Sequence, residues 1–403
     1  MNTKEQIDRD EIESTLTEVS THGKGKLSRL GIMDVVVLEG TFLEMGRQYG
    51  HLLKDKILAV KEELIKEYID PEILGYETMK QIIGEPFYKS QPKRIKDLYA
   101  GISEATGIDV IELSTIDQQF MLVLLARRTG QTAMCTALST WGSNTKDGTT
   151  YTGRNFDFAD YIRDMMPKWG HLVVMNPTSG ENSVAGVGIA GMVTEIIDGM
   201  NSKGLYYEFN NGAGTIGATI YSNRTPIYSH VFNCLFDYDN IEELKINFNS
   251  NLANYPSIMI TAEPKQGQAF EVATDAYTAP APEQKDLTCR GNQFIDPSWG
   301  IPDLPSPAAW YSRTRRETFT KLVQEAAPNV DANAMMQIMN TEIYDKDNDW
   351  KQVDGMTVFE NRPKGGDVTV WQVVTHPDER KMWVRIPTYS GWMEFDLKKL
   401  FTK

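Results

Sequence analysis

The hydrophobic pattern changes period at residue 135, and that change limits the folds open to the chain. Ahead of it, Phe42, Met45, Tyr49, Leu52, Leu53 and Ile57 recur at helical spacing, and Leu64, Ile65 and Tyr68 extend the stripe. Leu98, Ile102, Ile108, Ile111, Leu113, Phe120, Leu122 and Leu124 predict further helices up to about residue 128. From Cys135 onward strand-like runs take over, at 135–141, 149–156, 171–176, 182–189, 204–210, 257–263 and 267–274. Helical stretches at about 227–250 and 311–341 interrupt them, and strands at 367–375 and 381–387 close the chain. Residues 1–30 read as poorly ordered or peripheral. Strand runs separated by paired helical stretches suit an α+β fold of two stacked sheets with helices outside.

The change of period falls in AMCTALSTWGSNTKDGTTYTGRNFDF, residues 133–158. A Cys-Thr pair opens one strand, and Gly142, Asn144, Asp147 and Gly148 make a turn. The second strand ends in Gly153-Arg154-Asn155-Phe156-Asp157-Phe158. Such a hairpin can bring a thiol, a guanidinium and a carboxylate together. A cation biases a thiol towards the reactive thiolate, and a carboxylate can hold an ammonium. If the chain is cut between Met134 and Cys135, that ammonium is the new α-amine of Cys135. One residue then carries both nucleophile and base. An α-amine titrates at about 7.7–8.0, close to working pH. The plain alternative is that Arg154 and Asp157 form a cross-strand ion pair.

Several segments together resemble the cysteine branch of the N-terminal-nucleophile hydrolases, which includes choloylglycine (bile salt) hydrolases, penicillin V acylases and the isopenicillin-N acyltransferase-like amide hydrolases. Met134-Cys-Thr136 resembles the nucleophile start and Gly153-Arg-Asn-Phe-Asp157 the second strand. Asp198-Gly-Met-Asn-Ser-Lys-Gly-Leu205 is similar to the turn between core strands. Gly291-Asn-Gln-Phe294 resembles the oxyanion segment, and Ser312-Arg313 with Arg316 the late arginine helix. The stretch Val35-Val-Val-Leu-Glu-Gly-Thr-Phe-Leu-Glu-Met-Gly-Arg-Gln-Tyr-Gly-His-Leu-Leu53 resembles the start of the acyltransferase-like group, which is made as a precursor and cleaves itself before the cysteine.

The resemblance implies a four-layer α-β-β-α sandwich at 135–403, with 1–134 as a mostly helical segment that becomes the small subunit of an α/β heterodimer. Further self-association stays open. It implies Cys135 as nucleophile, Arg154 as the group that orients the thiolate and lowers its pKa, and Asp157 as the partner of the freed amine. Asn292 and Asn211 would supply oxyanion donors, with Asn210 the competitor of Asn211. Arg313 would brace the network, ahead of Arg316. The implied substrate is a small N-acyl amide, with no cofactor and no metal. A bile salt hydrolase or penicillin V acylase is the nearer rival, and a catalytically silent binding member the more distant one.

Composition narrows the partners. A net charge of −14 argues against nucleic acid or an anionic membrane as partner. No run of 18 apolar residues exists, and Met1–Ser20 lacks the basic start and apolar run of a signal peptide. Three cysteines make no disulfide framework. A cytoplasmic location is the simple expectation, with export open if a leader has been removed. Cys234 reads as core, and Cys289 as structural or site-lining. The histidines at 22, 51, 171, 230 and 376 have no metal-ligand spacing. Asp345-Lys-Asp-Asn-Asp349 opens like a calcium loop, but Trp350 and Met356 stand where Gly and a bidentate Glu are needed, so it reads as an acidic surface loop.

Overall fold

The computed structural model describes residues 8, 10–68, 75–118, 134–212, 221, 223–248, 253–301, 307–344, 350–353 and 367–402. Two large sheets dominate it. One has seven strands, running from edge to edge Ile12–Glu13, Trp392–Asp396, Lys381–Arg385, Asp367–His376, Tyr151–Ala159, Met134–Thr140 and Leu287–Arg290. The other has ten, in the order Tyr277–Thr278, Gln266–Val272, Ser257–Glu263, Tyr206–Asn211, Asp198–Asn201, Val184–Ile189, Gly170–Pro177, Met33–Gly40, Gly25–Leu30 and Thr17–His22.

The strand Met134–Thr140 packs against Tyr206–Asn211 and Ser257–Glu263 of the other sheet. Ala137 meets Ile260 and Ala269 between the two. Helix Phe42–Tyr68 lies on the ten-stranded sheet, with Lys93–Thr106 against it. Helices Pro307–Ala326 and Ala332–Met339 lie on the seven-stranded sheet. The layers are therefore α-β-β-α. A strand covered on both faces has no solvent side, so Tyr151–Ala159 is buried at every position despite four polar residues. Each of its faces must satisfy polar groups: Asn155 Nδ2 donates to the Met339 carbonyl on the helix side, at 3.2 Å, while Arg154 points between the sheets.

The residues ahead of Cys135 hold more strand than their helical stripe suggests. Residues 1–30 are not all peripheral: Gly25–Leu30 and Thr17–His22 extend the large sheet, and Ile12–Glu13 edges the other. Thr17–His22 is exposed at every residue, so no apolar face marks it in the sequence. It is held by its backbone ladder to Gly25–Leu30. Met33–Gly40 pairs in parallel with Gly170–Pro177, so the segment is woven into the core. The helical stretch read at 227–250 is two helices, Ile227–Cys234 and Ile241–Phe248. The one read at 311–341 breaks at 327–331, where Pro328 cannot continue a helix and Asp331 caps the next by accepting from the Ala334 N–H at 3.0 Å. Phe120, Leu122, Leu124 and the acidic run 345–349 lie outside the described residues. Among the described residues no helix is long and apolar enough to cross a membrane.

Two glycines let the outer helices touch backbone to backbone. A Cβ on Gly46 would lie 2.1 Å from the Leu98 carbonyl oxygen, and one on Gly101 2.2 Å from that of Leu43. No side chain fits such a gap. Gly101→Ala is expected to cost about 1–3 kcal/mol through overpacking. Urea unfolding of the variant beside wild type checks this, and an unchanged midpoint would refute the close contact.

Candidate active site

The Cys135 sulphur points between the sheets, because its strand neighbours alternate: Ala137 faces the other sheet, and Thr136 faces the helix layer. Arg154 lies on the adjacent strand, and its Nη2 is 3.8 Å from the sulphur. The thiol is 1% exposed. Burial pushes its pKa up to about 11, while Arg154 pulls it down and Asp157 pushes it further up. The expected effect of Arg154 is present in direction, but burial outweighs it. Cys234 and Cys289 are pushed higher, to about 12, so Cys135 is the least suppressed of the three thiols.

Arg154 has little charge to spare. Its Nη1 donates to Asp198 Oδ2 at 2.6 Å and to the Ile197 carbonyl at 3.2 Å. Its Nη2 donates to the Phe209 carbonyl at 2.5 Å, and its Nε lies 3.3 Å from Glu208 Oε2. Asp198 also accepts from Trp371 Nε1 at 2.8 Å and from the Tyr206 hydroxyl at 3.1 Å. Two carboxylates thus share one guanidinium in a buried space. Burial pushes the Glu208 carboxyl up to about 8, against the pull of Arg154. Neither acid figures among the expected site residues. The signal was available: Asp198 opens the Asp198–Leu205 motif, and Glu208 is the one acid in Tyr206–Asn211, a strand buried at every position.

A second network holds the Cys135 backbone. Its N–H donates to Asn292 Oδ1 at 2.6 Å, and Asn292 Nδ2 donates to the Asn211 carbonyl at 2.9 Å. The Asn292 N–H donates to Ser312 Oγ at 2.8 Å. That approach requires Gly291, where a Cβ would lie 2.3 Å from the same hydroxyl. Asn211 Oδ1 accepts from the Tyr255 hydroxyl at 2.9 Å. Asn210 turns to the Arg290 and Gly291 carbonyls instead, at 3.3 and 3.2 Å.

The arginine that reaches this network is Arg315. It is buried, and it donates to the Cys135 carbonyl, to Thr136 Oγ1 at 2.5 Å and to Asn292 Oδ1 at 3.1 Å. Arg313 and Arg316 are partly exposed. Two residues on a helix are about 200° apart, so Arg313 and Arg315 cannot share a face. A run of three arginines carries no sign of which one turns inward. Asp157 pairs in register with Met134, so by alternation its side chain emerges beside the Met134–Cys135 junction on the other face from the sulphur. Its Oδ1 accepts from Thr369 Oγ1 at 2.7 Å. Cys289 sits one strand away on the helix side, near Arg316 and Thr320.

No protein-family model matches the chain, and no curated protein matches it. Solved structures do. A mutant of conjugated bile acid hydrolase from Clostridium perfringens aligns at TM-score 0.46 and 14% identity, over 66% of this chain and 93% of that one. A second variant of that hydrolase gives 0.45 and 13% over the same shares. Penicillin V acylase from Agrobacterium tumefaciens gives 0.38 and 12%, over 66% of this chain and 88% of that one.

The raised Glu208 pKa sets a pH dependence. The folded value is about 8 against an ordinary 4.5, so the folded state holds the proton more tightly. Stability from this group is full below the ordinary carboxyl range and falls as pH rises towards 8. Chemical denaturation of wild type from pH 5 to 8.5 is expected to show that loss, and Glu208→Gln to flatten it. Parallel curves for the two proteins would exclude Glu208 as its source.

Proposed function

We propose that the chain is a self-processing amide hydrolase or acyltransferase with Cys135 as its N-terminal nucleophile, acting on the linear amide bond of a small N-acyl compound. The observation that carries this reading is the double hold on Cys135. Its sulphur faces Arg154, and its backbone N–H meets Asn292 Oδ1. A structural cysteine needs neither. A residue that must serve as nucleophile through its side chain and as base through its main-chain nitrogen needs both fixed.

In processing, the Cys135 sulphur attacks the Met134 carbonyl carbon. The Met134–Cys135 C–N bond breaks, the nitrogen takes the thiol proton, and a thioester forms. Water hydrolyses the thioester and frees the Cys135 α-amine. That amine inherits the Asn292 contact and gains Asp157 as neighbour. In turnover, the amine takes the thiol proton and the sulphur attacks the substrate carbonyl. Asn292 and Asn211 donate to the oxyanion, and the ammonium returns its proton to the leaving amine. Water or an acceptor amine then resolves the acyl-Cys135. Arg315 steadies the Cys135 carbonyl throughout.

Expressed protein is expected to resolve on a denaturing gel into two fragments with Cys135 at the new N-terminus, and Cys135→Ala to stay full length. Wild type that stays intact yet turns over amides would remove the α-amine as base. Asn292→Ala is expected to lower kcat by about 10²–10³ with a modest change in Tm. An unchanged kcat would take Asn292 out of the oxyanion site. Mass detection of acyl-Cys135 over a panel of N-acyl amides identifies the acyl group, and no adduct with any of them would favour a silent binding protein.

A further inference from the structure

The described residues hold a second buried polar cluster, built by the segment ahead of the cysteine. Asp117 ends helix Val110–Asp117 and is fully buried. Its Oδ1 accepts three consecutive backbone N–H groups, from Val193 at 2.8 Å, Thr194 at 3.1 Å and Glu195 at 3.2 Å. Its Oδ2 accepts the Thr194 hydroxyl at 2.5 Å and the Tyr99 hydroxyl at 2.6 Å. Tyr49 adds a hold just upstream, accepting from the Gly191 N–H at 2.9 Å. Burial raises the Asp117 pKa, and these hydrogen bonds pull it back down.

A carboxylate at a helix C-terminus is unfavourably placed, since that end of the helix is negative. Its retention needs a compensating task, and the loop supplies one. Residues 191–197 are not a regular strand, so their N–H groups need acceptors. The loop runs directly into Ile197 and Asp198, whose carbonyl and carboxylate hold Arg154 Nη1. Arg154 in turn faces the Cys135 sulphur.

We infer that Asp117 is a positioning residue for the nucleophile: by gathering the N–H groups of residues 193–195 it sets Ile197 and Asp198, and through them the aim of Arg154 at Cys135. The segment ahead of the cysteine is thereby part of the site's frame. The catalytic consequence rests on the function proposed above; the effect on the thiol does not.

The test reads the thiol directly. Iodoacetamide alkylation of Cys135 is followed by mass spectrometry across pH in wild type, Asp117→Ala and Asp117→Asn. Asp117→Ala is expected to raise the alkylation midpoint by about one unit, so alkylation below it slows about tenfold. Asp117→Asn is expected to restore most of this, because its carboxamide oxygen still accepts the three N–H groups. An unchanged profile in Asp117→Ala overturns the inference. So does an Asn variant no better than Ala, because charge and not the N–H grip would then be at work. If Asp117→Ala fails to fold, the pair Tyr99→Phe with Thr194→Val removes both donors to Oδ2, and a shift of the same sign is required. A shifted profile with no amide turnover in wild type would leave this inference standing and sink the proposed activity.

Discussion

Arg154 is the interaction on which the rest of the arrangement depends. A guanidinium fully buried between two sheets is costly unless its charge and its donors are matched. The ten-stranded sheet supplies the match from two strands and from the loop that joins Val184–Ile189 to Asp198–Asn201: Asp198, Glu208 and the carbonyls of Ile197 and Phe209. The two sheets are therefore joined by a polar lock as well as by apolar contact. The lock contains one more carboxylate than it has cations. Burial, with Asp198 as a like-charged neighbour, drives Glu208 towards its neutral form against the pull of Arg154. Arg154 pulls Cys135 towards the thiolate from 3.8 Å, but burial of the sulphur wins.

The second hold on Cys135 comes from the opposite layer. Arg315 and Ser312 descend from the helix on the seven-stranded sheet, and Gly291 is the residue that makes room for Ser312. The main chain of Cys135 and the Thr136 hydroxyl are thus gripped from the helix side while the sulphur is aimed from the sheet side. Two independent grips on one residue fix the direction of the main chain at Cys135 as well as the position of the thiol, and on the proposed reading direction is what an attack on a carbonyl carbon requires.

The hairpin from 134 to 159 is legible in the sequence because its turn residues and strand period agree, and its register puts Ala137 opposite Arg154 and Cys135 opposite Phe156. The strands at 171–176, 257–263 and 267–274 are legible for the same reason. Thr17–His22 is not, because an exposed strand has no apolar face and is specified by its neighbour's ladder. Arg315 is not, because three arginines in four residues differ only in helix phase, which depends on where the helix starts. Asp117 is invisible for a deeper reason. The partners of its Oδ1 are backbone N–H groups 76 to 78 residues away, and backbone leaves no trace in sequence.

The weave of the chain also bears on what self-cleavage would release. Met33–Gly40 lies inside the ten-stranded sheet, between Gly170–Pro177 and Gly25–Leu30. Val35, Val36 and Leu38 are wholly buried in it. Exposing each would cost about 1.5–3 kcal/mol, before any loss of the strand ladder or of the helix Phe42–Tyr68 that follows. Breaking one peptide bond at Met134–Cys135 removes none of those contacts. On the proposed reading, the fragments stay together as a heterodimer because the core was built from both before the cut. The bond that breaks carries none of the burial that holds them. Cleavage on that reading would change the chemistry at Cys135 while leaving the Asp198–Arg154–Glu208 lock in place.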